Sequence, residues 1–215
     1  MSPESVTADR IHRELKLNII EGEFGPGAVL GLQLIARMFG TSISPVRDAL
    51  NRLVGERIVE LQPGGGFTVP VFDNRKAYHI YSWHADVVRA VVKVMDKLDR
   101  LGPPPDFSSR ESREPDAIAS ATAEFFTALA SCSPNPEHLM AIEVLGERLH
   151  VLRLQEGMFA RQAEELGSLW KLAGSGNRNA TRVAMWHYHR KRLLRASDIC
   201  EAIILHANRG KGPEP

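Results

Sequence analysis

The sequence predicts a mainly α-helical chain in two parts: three helices and a β-hairpin first, then an all-helical bundle. Three observations predict it. Apolar residues recur at helical spacing through most of the chain. The one clear pair of β-branched runs, Ile58–Gln62 and Phe67–Val71, flanks Pro63-Gly64-Gly65-Gly66, a hairpin signal. The composition, 43% hydrophobic and 25% charged over 215 residues, is that of an ordinary globular protein.

The first helix is expected over about Thr7–Glu21, where Ile11, Leu15, Ile19 and Ile20 form one face before Gly25-Pro26-Gly27 ends it. Ala28-Val29-Leu30 reads as a short strand. A second helix runs over about Leu32–Phe39, with Ile35, Ala36 and Phe39 inward and Gly40 as terminator. After Thr41-Ser42-Ile43, the third helix is expected to take Ser44 as N-cap and Pro45 at its first position, where no amide partner is lost. Val46, Ala49, Leu50, Leu53 and Val54 then make an unbroken inward stripe. This order, closed by the hairpin, is that of a winged helix-turn-helix.

That arrangement predicts contact with double-stranded DNA, because the third helix keeps a polar outer face for base edges and phosphates. The candidates are Gln33 on the second helix; Ser42, Ser44 and Pro45 at the start of the third; Arg47, Asn51 and Arg52 along it; and Gly64, Gly65 and Gly66 at the wing tip. Arg47 can grip guanine or phosphate bidentately. It can equally pair with Asp48 or Glu56 on a solvated face. Residues 1–73 hold seven Lys/Arg and nine Asp/Glu, a formal charge of −2, which opposes non-specific DNA affinity unless the cations are segregated.

Residues 7–72 resemble the N-terminal domain of the GntR family of transcriptional regulators. The segment Ser42-Ile43-Ser44-Pro45-Val46-Arg47-Asp48-Ala49-Leu50 is similar to that family's recognition-helix motif S-R-T-P-V-R-E-A-L. Phe24-Gly25-Pro26-Gly27 and Gly65-Gly66-Phe67-Thr68-Val69 match in order. Three departures stand out: Ile43 in place of an arginine, Arg57 in place of the glycine before the hairpin, and apolar Leu32 and Leu34. The all-helical remainder resembles the subgroup with a fatty-acid-regulator-type (FCD) C-terminal domain. The resemblance implies a dimer on a palindromic operator, a small-molecule effector and repression.

The domains are expected at 1–73 (DNA-binding), 74–209 (effector-binding and dimerising) and 210–215 (a disordered tail). Helices are expected over about 76–101, 116–130, 137–159, 160–173 and 179–208, with a proline-rich loop over 102–115. The resembled subgroup often holds a divalent metal with one Asp and three His. Here Thr122 and Phe126 fall at two of those ligand positions, so no metal cofactor is expected. The candidate effector residues are Trp83, His84, His150 and His187. His187 and His189 stand about 200° apart on a helix, so only one faces inward. The tryptophans are expected in the core. The run from Arg178 to Arg195, six cations without an acid, is expected on a solvated face.

Cys132 and Cys200 are too few for a disulfide framework, and neither a signal segment nor a membrane span is seen, so a cytoplasmic location is expected. No nucleophile–base pair, P-loop, zinc motif or dinucleotide fingerprint points to an enzyme. The competing reading is a helical binding or enzymatic module whose acidic N-terminal part serves protein contacts.

Overall fold

The computed structural model describes residues 3–209, so the expected tail at 210–215 lies outside the described residues. The chain divides into two compact units, Met1–Phe72 with Ala207–Pro215, and Asp73–His206.

In the first unit, α1 (Pro3–Ile20) places Ala8, Ile11, Leu15 and Ile19 against α3 (Ile43–Gly55). The stripe of α3 is as its spacing predicts: Val46, Ala49, Leu50 and Leu53 are fully buried. Between them lies α2 (Leu32–Met38), with Ile35 and Ala36 inward. Leu32 packs on this core, whereas Leu34 is exposed. Leu50→Ala removes buried methyl groups from the centre of the stripe, at an expected cost of about 2–5 kcal/mol. All three tryptophans lie outside this unit. The loss should therefore appear in far-UV circular dichroism, with the tryptophan fluorescence transition unmoved.

The start of α3 corrects the sequence expectation. The helix begins at Ile43, with Ser42 in extended conformation (φ −80°, ψ 169°) as its cap residue, and no side-chain cap bond forms. Pro45 is tolerated two positions further in, since first-turn amides have no intrahelical partner. It is also buried rather than outward-facing.

The hairpin is shorter than the β-branched runs suggest. β1 (Glu60–Leu61) and β2 (Phe67–Thr68) pair antiparallel, Glu60 with Thr68 and Leu61 with Phe67. Ile58 and Val59 instead bury into the core behind α3. Val29 bridges Thr68, so the expected third strand is a single bridge, held by Leu30 N–H on Phe67 O at 2.8 Å and Val69 N–H on Ala28 O at 3.0 Å. Arg57 adopts φ 59°, a left-handed conformation that glycine takes without strain.

The second unit is a bundle of α4 (Asn74–Val94), α5 (Pro115–Ser131), α6 (Pro136–Arg153), α7 (Gln162–Gly174) and α8 (Arg178–Leu194), continued by α9 (Ala196–Arg209) as far as His206. The Asp73 carboxylate caps α4, accepting from Lys76 N–H at 2.6 Å. α5 packs on α6, and α4 packs on both α6 and α8. Three expected long helices are interrupted. α4 stops at Val94, because Met95 turns extended and its carbonyl accepts from Arg178 at 2.5 Å. The segment after α6 becomes a short 3-10 turn, Glu156–Met158. The last helix breaks at Arg195, which pairs with Asp198. Among the described residues no helix is long and apolar enough to cross a membrane. Cys132 and Cys200 are free and buried.

Candidate nucleic-acid interface and buried polar cluster

On the first unit, a groove of about 540 Å³ opens between the start of α2, the start of α3 and the hairpin. Gln33, Arg37, Ile43, Arg47, Gly65 and Gly66 are among the residues that line it. The fold thus brings four of the sequence candidates to one concavity: Gln33, Arg47, Gly65 and Gly66. Ser42, Ser44, Asn51 and Gly64 are exposed but do not line it. Gly65, at φ 84°, makes the tip turn, with its amide donating to Gln62 O at 2.8 Å.

Charge is segregated in this unit, which answers the puzzle of the net −2 over residues 1–73. Glu56 accepts from His12 at 2.8 Å and forms an ion pair with Lys16 at 3.1 Å. Arg10 pairs with Glu14 at 3.5 Å. Arg52 is engaged by Asp9 across α1 and α3, so its guanidinium is drawn toward α1. Arg37 and Arg47 have no ion-pair partner among the described residues. Arg37 went unnoticed in the sequence because it sits on the short second helix. Its only signal was a cation on that helix's polar side.

The second unit contains a buried polar cluster drawn from four segments. Arg192 of α8, 2% exposed, donates its Nε to the Glu156 carboxylate at 2.9 and 3.0 Å and its Nη2 at 2.7 Å. Its Nη1 reaches Glu165 of α7 at 3.2 Å. The Tyr81 hydroxyl of α4 donates to Glu156 at 2.7 Å. Burial opposes the charge on Arg192, but Glu156, Tyr188 and Glu165 together outweigh it and hold the guanidinium protonated. The same burial, aided by Glu156, pushes the Tyr81 hydroxyl well above its ordinary value, and burial carries Tyr188 up to about 12. Arg192 is therefore not part of the expected solvated basic face.

Beside it lies a histidine relay. His189 Nδ1 sits 2.7 Å from Met185 O, and its Nε2 lies 2.8 Å from His84 Nδ1. A carbonyl only accepts, so His189 carries its proton on Nδ1 and offers Nε2 as acceptor. His84 must then donate from Nδ1. Burial lowers both histidines, His189 to about 3 and His84 well below its ordinary value, with the nearby arginines adding to the effect. Neutral His84 consequently presents a bare Nε2 lone pair, which has no partner in the bundle.

Of the candidate effector residues, His84 belongs to this cluster. His150 is buried next to Asp116, 3.5 Å away. His187 and Trp83 are exposed and lie outside the cluster, because His189 takes the inward position two residues along α8 and Trp83 lies on the outer side of α4. Trp186 is also 56% exposed, so only Trp170 meets the expectation of a core tryptophan. Its indole donates to Gly102 O at 2.9 Å. Tyr81, Arg153, Glu156 and Arg192 were missed. Charged residues inside amphipathic helices carry no spacing signal that separates buried from solvated.

Residues 7–69 match the sequence model of the family described as bacterial regulatory proteins, gntR family. They form a GntR-family helix-turn-helix domain. Curated relatives match part of the chain. The HTH-type transcriptional regulator McbR of Escherichia coli (strain K12) is 37% identical over 67 residues, which is 31% of this chain and 30% of McbR. The gluconate operon transcriptional repressor of Bacillus subtilis (strain 168) is 31% identical over 93 residues, 43% of this chain and 38% of that protein. The HTH-type transcriptional repressor GlaR of Escherichia coli (strain K12) is 29% identical over 83 residues, 39% of this chain and 38% of GlaR. The matches thus span about a third of the length of these curated relatives. Among solved structures, a GntR transcriptional regulator from Rhodococcus sp. RHA1 superposes with a TM-score of 0.73 at 20% identity, covering 88% of this chain and 96% of that one. E. coli McbR/YncC follows at 0.64 and 22% identity, over 89% and 97%. These likenesses are of fold.

Within the GntR domain, the two departures in the motif region have visible consequences. Ile43 lines the groove as a half-exposed apolar side chain where the resembled motif has a cation. Arg57 occupies a positive-φ position, which accounts for the glycine usual there. In the helical unit, the donor set does not fit the divalent metal implied by the resembled FCD subgroup. Thr122 is buried and spends its hydroxyl on Ile118 O at 2.7 Å. Phe126 packs its ring on His84 (4.5 Å between ring centres) and on His189 (5.8 Å). The Arg153 guanidinium lies 5.7 Å from the same ring, and a fixed cation there repels a metal ion. Among the described residues no group of three or more His, Cys, Asp or Glu side chains could hold one.

Proposed function

We propose that this chain is a ligand-responsive transcriptional regulator that acts as a homodimer in the cytoplasm, without enzymatic activity, and represses from a short palindromic DNA operator. The observation that carries the reading is the GntR domain whose groove presents Arg47 and Arg37 without ion-pair partners beside Gln33 and the glycine wing tip. Repression is the printed role of two of the relatives. Two copies with α3 helices about 34 Å apart would meet successive major grooves of one operator. The helical unit, of the FCD kind in this reading, supplies the effector site, and its buried polar cluster supports that role. An effector that binds there with different affinity in two dimer arrangements shifts DNA affinity by linkage.

The test is footprinting around the chain's own gene, followed by Arg47→Ala. Arg47 lies outside the buried stripe, so the substitution should leave thermal stability within about 0.5 kcal/mol. Operator binding should weaken by about 1–3 kcal/mol if the guanidinium reads a base. An equal loss on random DNA, with a salt slope shallower by about one, would assign it to a phosphate. Undiminished operator affinity in the folded variant would remove α3 from the DNA face.

A further inference from the structure

The groove of the first unit is apolar as well as basic. Val29, Leu34 and Ile43 line it and are 73%, 51% and 39% exposed. Single exposed apolar side chains are ordinary on a protein surface, but three around one concavity mark a contact surface. Phosphates give them nothing to meet, since a phosphate offers only charged acceptors. Of the three, Ile43 alone stands on the helix that the regulator reading lays in the major groove. It is the first residue of α3, and Arg47 follows one helical turn later on the same side. Residues in the first turn of such a helix are those that reach base edges. An isoleucine neither donates nor accepts a hydrogen bond. Set over a guanine or adenine edge, it would strip water from N7 and from the neighbouring exocyclic group and return no partner, which is unfavourable. Among the bases, only thymine carries an apolar group on its major-groove edge, the C5-methyl.

We propose that Ile43 reads a thymine through that methyl group. Each half-site of the operator then carries thymine at a position where an arginine in place of Ile43 would select guanine. Ile43 is in this way a specificity-determining residue, while Arg47 supplies the charge beside it. The inference deepens the regulator reading and rests on it, because it names what the groove recognises.

The experiment is selection of duplexes from a random pool by the full chain. Each selected thymine is then replaced by deoxyuridine, which keeps the base pair and removes only the methyl group. One thymine per half-site is expected to respond. Loss of its methyl should weaken binding about fourfold per half-site, the effect of uncovering one methyl-sized apolar group. Ile43→Ala should bind the thymine and deoxyuridine duplexes equally, so that the two changes fail to add. Ile43→Val, which keeps a branched apolar side chain, should still discriminate. Ile43→Arg should select guanine at the same position. Ile43 lies outside the buried stripe of α3, so these variants should melt with the parent. A selected sequence in which every thymine tolerates deoxyuridine overturns the proposal and leaves the regulator standing. Discrimination that survives unchanged in Ile43→Ala does the same, by giving the methyl group to another residue. Failure to select any sequence overturns both readings.

Discussion

Glu156→Gln is expected to destabilise the helical unit by about 3–5 kcal/mol, the usual cost of removing one partner from a buried ion pair. The carboxylate holds three groups at once: Arg192 from α8, Tyr81 from α4, and Gln162 of α7 at 3.4 Å. With the charge gone, Arg192 keeps only Glu165, whose carboxylate is partly exposed. All three tryptophans, Trp83, Trp170 and Trp186, lie in this unit, so their fluorescence during urea unfolding reports on it alone. A midpoint shift at constant slope would give the loss directly. The double variant Glu156→Gln/Arg192→Met should regain most of it, since the buried guanidinium left without its counter-charge is removed as well. A single variant within about 1 kcal/mol of the parent would mean that the cluster is wetter than its burial implies.

Acidification is expected to cost a comparable amount. His84 and His189 are held neutral in the fold, His189 with a pKa of about 3. In the unfolded chain each titrates near 6.5. Below that value the unfolded state binds protons that the folded state refuses, so stability is full above about pH 6.5 and declines as pH falls toward 3. For His189 the slope is about 1.4 kcal/mol per pH unit, or about 2 kcal/mol at pH 5, and His84 adds a loss of the same sign. Arg153 and Arg192 face the pair and oppose its protonation further, as does Arg89 for His189. Fluorescence-detected unfolding at pH 7 and pH 5 measures the difference. His189→Gln should remove the part that His189 contributes. A pH-independent midpoint would show that the relay protonates freely in the folded chain.

The order of elements in the first unit was legible because local rules decide it. The stripe of α3, the glycine turn of the hairpin and the motif from Ser42 to Leu50 each depend on residues a few positions apart. Even there, the first turn of α3 was misplaced by two residues, since Ser42 and Ser44 are equally good caps and only the backbone path after Thr41 selects one. In the second unit periodicity located the helices but not their ends. Met95 stops α4 because Arg178, distant in sequence, takes its carbonyl.

What the sequence by itself determined is which faces are apolar, and hence the fold class and the placing of Arg47 outside the core. What only the tertiary structure decided is the fate of the charged and aromatic residues. Arg192 lies in a run of six cations, yet it is the one that is buried, against Glu156 and Glu165, while Trp83 and Trp186 turn out. Burial of a charge depends on whether a partner arrives from another helix, and that partner, 36 residues away for Glu156 and 27 for Glu165, leaves no mark on local spacing.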